Sequence, residues 1–91
     1  MAESHSATVR IANKKGLHAR ASAKIVEAAA RFRSRITISY NAQTVDARSI
    51  MGLMMLAASE GSEIGVVAEG PDAAAALAAI VALTEAKFGE E

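Results

Sequence analysis

The stretch KKGLHARASA, Lys14 to Ala23, gathers the side chains of this sequence best suited to chemistry. His18 follows a glycine and two lysines, and Arg20 stands two places on. Between Lys14 and Lys24 lie four basic side chains (Lys14, Lys15, Arg20, Lys24), one histidine and no carboxylate, in a chain of zero formal net charge. Helical spacing starts at Ala19, so His18 falls at or beside an N-cap, where backbone N–H groups lack partners and the helix dipole is positive. A positive end disfavours imidazolium and favours the neutral ring, which is a nucleophile. The same N–H groups, with Arg20 beside them, make an anion receptor suited to a phosphoryl group. Gly16 lets the backbone turn sharply before the helix.

Other chemistries lack parts. A hydrolytic triad needs an orienting acid and a nucleophilic Ser or Cys, and nothing nearby supplies them. A metal site needs more ligands than His18 and His5 offer, so no metal is expected. A Walker loop would need G-x-x-x-x-G-K-[ST], which is absent. The plain alternative is a surface histidine whose basic neighbours merely solvate a loop.

The elements around this stretch follow from periodicity. SATVRIA alternates Val9 and Ile11 against Thr8 and Arg10, a half-buried strand after a tail at residues 1–5. From Ala19, the residues Ser22, Ile25, Val26, Ala29 and Phe32 recur at helical spacing, and a helix ending near Phe32 is predicted. RITISY alternates again, Asn41–Ala42 reads as a tight turn, and TVDAR returns as a shorter strand. Ser49 is a good N-cap for SIMGLMMLAAS. SEIGVVAEG gives a further strand face with Ile64, Val66 and Ala68. Gly70-Pro71-Asp72 then opens a last helix with Pro at its first position, carrying Leu77, Ile80, Val81, Thr84 and Phe88 as its buried stripe. The order β-α-β-β-α-β-α suggests one sheet with helices packed on one side, forming a single domain over residues 6–91.

Composition narrows the function classes. The 91 residues suffice for one modest core, and 22 of them are alanine, which buries little area. Ten basic and ten acidic residues, with only Phe32, Tyr40 and Phe88 aromatic, argue against a nucleic-acid binder. No cysteine is present, which excludes disulfides and thiolate sites. The opening MAESHSATVR has neither the basic start nor the apolar run of a secretory signal. The longest apolar run, Ala73 to Leu83, is far short of the roughly 20 residues of a membrane span, so a cytoplasmic protein with no membrane partner is expected.

A second constellation is ARSIMGLMMLA, Ala47 to Ala57. Ile50, Met51, Met54 and Met55 cannot all point inward from a short helix. Leu53 and Leu56 read as core. Met51 and Met55 suit either gap-filling or an adaptable partner surface. Gly52 inside a helix is unusual, since it costs roughly 0.5–1 kcal/mol relative to Ala.

GLHARASA, Gly16 to Ala23, resembles the active-site signature of the HPr family, the histidine-containing phosphocarriers of the bacterial phosphoenolpyruvate-dependent phosphotransferase system. Length, element order and the closing AEGPDAAAAL fit as well. Ala21 departs from the pattern, since proline is commoner there. The resemblance implies an α/β (α+β) open-faced β-sandwich, a four-stranded antiparallel sheet with three helices on one face. It implies that His18 is phosphorylated on Nδ1, that Arg20 pairs with the phosphoryl group, and that Gly16, Leu17 and Ala19 surround it. "RS" before two aliphatic residues is similar to the family's regulatory-serine motif, with Ser49 the target of an HPr kinase/phosphorylase. Ile50, Met51, Met54 and Met55, with Lys24, would dock partners. Those partners would be phosphorylated Enzyme I upstream and a IIA domain downstream, in a sugar or nitrogen-related branch. Such a carrier is not itself an enzyme, needs no cofactor, and is most simply a monomer. Two readings of other classes remain: a module that holds a small anion without covalent chemistry, and an interaction domain that uses only the Met51/Met55 face.

Overall fold

The computed structural model describes residues 3–90. Its elements run β1 (Glu3–Arg10), α1 (Ala19–Ala29), β2 (Arg35–Tyr40), β3 (Gln43–Asp46), α2 (Ile50–Met55), β4 (Glu63–Gly70) and α3 (Ala73–Glu85), followed by a 3-10 turn at Lys87–Gly89. The strands form one sheet in the order β1-β4-β2-β3, and every neighbouring pair is antiparallel. Side chains alternate across a strand, so one face collects Val9, Ile36, Ile38, Ile64, Val66 and Ala68, all buried. The three helices cover that face, with Ile25, Leu53 and Ile80 meeting it in one continuous core. The opposite face carries Thr8, Thr37, Ser39 and Glu69 and is open. No described helix is long and apolar enough to cross a membrane.

The two-residue hairpin between β2 and β3 closes with Tyr40 opposite Gln43. Asn41 and Ala42 both sit at positive φ (53° and 66°), as the twist of a type I′ turn demands. Asn accepts this conformation readily, whereas Ala42 is strained there.

Several boundaries differ from the periodicity. The expected tail at residues 1–5 is a strand from Glu3 onward, because Glu3 to His5 pair with Gly70 to Ala68; residues 1–2 lie outside the described part. Pro71 precedes the last helix instead of opening it, and Asp72 occupies the N-cap without capping through its side chain. Its carboxylate instead accepts from the N–H groups of Arg33 and Ser34 and from Ser34 Oγ, tying the α1–β2 loop to the β4–α3 turn. Phe88 does not extend the stripe of α3. Lys87 and Phe88 take φ values of 59° and 55°, which reverse the chain and return the Phe88 ring to the core.

Helix α1 stops at Ala29, short of Phe32. Arg48 ends it from outside: Nη2 donates to the carbonyls of Ala29 (2.9 Å) and Phe32 (2.7 Å). The Ala29 carbonyl also accepts from the Phe32 N–H at 3.2 Å, so Arg48 adds a second donor at the helix end.

Candidate functional site

The site is built on the loop between β1 and α1. Gly16 is buried at φ 64°, and a Cβ on it would lie 2.3 Å from the Ala58 carbonyl oxygen. The Leu17 N–H donates to that same oxygen at 3.0 Å, and the Leu17 side chain is buried. Ser22, buried in the first turns of α1, donates its Oγ to the Leu17 carbonyl. The loop is therefore pinned to the chain leaving α2. Gly16 and Leu17, expected around a phosphoryl group, hold the turn and do not line the cleft. Their N–H groups are committed to Asn13 O and Ala58 O.

His18 is the N-cap residue of α1, with extended backbone (φ −77°, ψ −178°). Its carbonyl accepts the first helical hydrogen bond, from Ser22 N–H at 2.9 Å, while its imidazole makes no capping bond. The ring is thus free to face outward. Ala19 and Arg20 occupy the first helical positions, whose N–H groups have no partner within a helix. A cleft of about 510 Å³ is lined by Lys14, Lys15, His18, Ala19, Arg20 and Glu90. The Arg20 guanidinium makes no ion pair among the described residues. Ala21, where the resemblance leads to an expectation of proline, is wholly buried in the first turn.

The surroundings of His18 are not uniformly basic. Glu90, 72 residues away in sequence, places its Oε2 2.5 Å from His18 Nε2. Its Oε1 accepts from Asn13 Nδ2 at 3.0 Å, and the same amide nitrogen donates to the Gly16 carbonyl at 2.9 Å. Asn13 is wholly buried, so its aim is fixed. The Asn13 hydrogen bond, aided by the His18 contact and by the positive charge of Lys15, holds the Glu90 carboxyl below the usual carboxylate range against the opposing cost of burial. A carboxylate only accepts, so Nε2 carries the proton that joins them, and in a neutral ring Nδ1 keeps its lone pair. The orienting acid missing from the local sequence is supplied from the far end of the fold.

The second constellation adjoins the first through Ala58. Ser49 is the N-cap of α2, and its Oγ accepts from the Gly52 N–H at 3.0 Å. A Cβ on Gly52 would lie 3.0 Å from Ser49 Oγ and 3.1 Å from Val45 Cβ, which accounts for the glycine. Leu53 and Leu56 enter the core, whereas Ile50 (41%), Met51 (72%), Met54 (43%) and Met55 (73%) stay exposed. They are the exposed large hydrophobic side chains of the described residues. Lys24, expected to meet partners, is half-buried and donates its ammonium to the Phe88 carbonyl at 2.5 Å.

Comparison with known proteins bears on the family and the fold. The family profile described as "PTS HPr component phosphorylation site" matches residues 5–86. The chain is similar to the phosphocarrier protein HPr of Treponema pallidum, with 52% identity over 84 residues, covering 92% of this chain and 96% of the relative. The HPr of Cupriavidus necator is 51% identical over 80 residues, covering 88% and 90% of the two chains. Among solved structures, HPr from Thermoanaerobacter tengcongensis superposes with a TM-score of 0.91 at 45% identity, covering 96% of this chain and 98% of the other.

Proposed function

The chain belongs to the HPr family of phosphotransferase-system phosphocarriers, and from that premise we propose that His18 takes a phosphoryl group from phosphorylated Enzyme I and passes it to a IIA domain. The observation that carries this reading is the commitment of Nε2 to Glu90, which leaves Nδ1 as the nucleophilic nitrogen. The Nδ1 lone pair forms the new N–P bond while the donor histidine's N–P bond breaks, and that electron pair returns to the donor ring. Nε2 keeps its proton throughout. Positioning and charge stabilisation are most of what such a transfer needs. Arg20, Lys14, Lys15 and the first N–H groups of α1 border the cleft with the positive charge that a phosphoryl group requires. No resident cofactor takes part, because the phosphoryl group arrives on one protein and leaves on another. One copy of the chain holds the whole site, which supports a monomeric working carrier.

Incubation with Enzyme I and labelled phosphoenolpyruvate tests this. The account expects one acid-labile, base-stable phosphate per chain, absent from His18→Ala. No label with a competent Enzyme I contradicts it.

A second, regulatory reading rests on Ser49, whose half-buried hydroxyl opens the helix that carries the exposed apolar patch. Phosphorylation there by an HPr kinase/phosphorylase adds about −1.5 to −2 charge beside Ile50 and Met51 and opposes docking of acidic partners. Acid-stable phosphate from ATP, lost in Ser49→Ala, is the matching assay.

A further inference from the structure

The last described residues form a strap rather than a frayed end. Lys87, Phe88 and Gly89 all have positive φ (59°, 55° and 76°), turning the chain back toward the start of α1. The Phe88 ring is wholly buried, which anchors the strap in the core. Its carbonyl receives the Lys24 ammonium, and a Cβ on Gly89 would lie 3.0 Å from Lys24 Nζ. The Gly89 and Glu90 N–H groups donate back to Ala86 and Lys87. Asn13 then takes one oxygen of Glu90, and His18 takes the other. Three ties thus fix a carboxylate on the ring nitrogen that does not react.

We propose that Glu90 is a positioning residue for phosphoryl transfer at His18, and that Lys24 serves the same end by latching the strap that carries it. This rests on the reading of His18 as phosphoryl acceptor. One hydrogen bond at Nε2 sets both the tautomer and the rotation of the imidazole, so Nδ1 is presented in one direction. As the N–P bond forms, the ring gains positive charge that it shares with Nε2–H, and the Glu90 carboxylate is the anion in contact with it. Lys24, expected to dock partners, has its ammonium hydrogen-bonded to the strap.

Two readouts separate positioning from docking or folding roles. The first is the Nε2–H proton resonance of His18 in the unphosphorylated protein. It is expected to be downfield and protected in the wild type, lost in Glu90→Ala, weakened in Lys24→Met, and regained in Glu90→Gln, which keeps an acceptor oxygen. The second is single-turnover transfer from phosphorylated Enzyme I. Glu90→Ala is expected to lower the maximal rate about tenfold or more, the worth of one hydrogen bond to a charged group, with the half-saturating concentration unchanged. Lys24→Met is expected to move the maximal rate in the same direction. A wild-type resonance or a wild-type maximal rate in Glu90→Ala overturns the assignment of Glu90. A change confined to half-saturation in Lys24→Met overturns the latch and makes Lys24 a docking residue. A wild type that accepts no phosphoryl group would instead defeat the underlying reading, while the resonance still judges the Glu90 contact.

Discussion

Asp72 and Ser34 hold each other from both sides. The carboxylate accepts from Ser34 N–H (2.9 Å) and Oγ (2.6 Å), while the Asp72 N–H donates to Ser34 Oγ (3.2 Å). Ser34 is buried, and Gly70 passes so close that a Cβ would lie 2.7 Å from Ser34 Cα. The pair clamps the two connections at one end of the sheet, opposite in purpose to the Glu90 strap at His18.

This clamp makes stability depend on pH. The Ser34 hydroxyl and the Arg33 and Ser34 amides hold the Asp72 carboxyl below its ordinary value of 3.8. A carboxyl lowered in the folded state contributes stability that is complete above its unfolded value and is lost as pH falls through the folded one. Glu90 is lowered in the same sense from 4.5, so its contacts with Asn13 and His18 fade over the same acid range. Thermal melts should show a falling midpoint below about pH 4, and the Asp72→Ala variant should show a shallower fall from a lower starting point. An identical acid slope in wild type and variant would count against the clamp.

Gly16→Ala should be severe. The left-handed conformation costs a non-glycine residue about 1–2 kcal/mol, and the clash with the Ala58 carbonyl adds a further overpacking cost. Urea unfolding should report a loss of about 2–4 kcal/mol.

Ala42→Gly should act in the opposite direction. It relieves strain at φ 66° in the β2–β3 turn, offset in part by the greater freedom of glycine when unfolded. The expected gain is about 0.5–1 kcal/mol, read as a higher urea midpoint with an unchanged slope.

Arg48→Met should uncap α1 by removing the donors to the carbonyls of Ala29 and Phe32. A loss of about 1–2 kcal/mol is expected, smaller than for a buried pair because the guanidinium is exposed. Hydrogen exchange should quicken in the last turn of α1 more than in α3.

Met51→Glu should separate docking from folding. Met51 is 72% exposed, so unfolding free energy should change by less than about 0.5 kcal/mol. Affinity for Enzyme I, measured by calorimetry, should drop about tenfold or more. Unchanged affinity would remove α2 from the partner surface.

Much of the fold was legible because its strands alternate cleanly. Val9, Ile36, Ile38, Ile64 and Val66 each announce a buried face, and the change of period at Ala19 marks α1. The placement of His18 at the N-cap of α1 was legible too, since Gly16, which turns the chain, stands two residues before it. Glu90 was not. Its approach depends on two non-glycine residues, Lys87 and Phe88, adopting positive φ, which their side chains disfavour and which the buried Phe88 ring and the Lys24 hydrogen bond accompany. The one available signal was Gly89 just beyond the end of a helix, a usual mark of chain reversal. The Asp72 contact was not legible either: a carboxylate next to a helix start gives no sign of the distant Ser34 that it binds. Gly52 looked like a cost within a helix, and the close packing of Ser49 and Val45 against it explains its presence.

The central claim is that His18 carries the phosphoryl group on Nδ1 while Nε2 stays protonated against Glu90. Phosphorus–nitrogen coupling in the 15N-labelled, Enzyme I-phosphorylated protein tests it most directly. The account predicts one 31P resonance coupled to His18 Nδ1, with the proton retained on Nε2. Coupling to Nε2, or phosphorus on any other side chain, would contradict it.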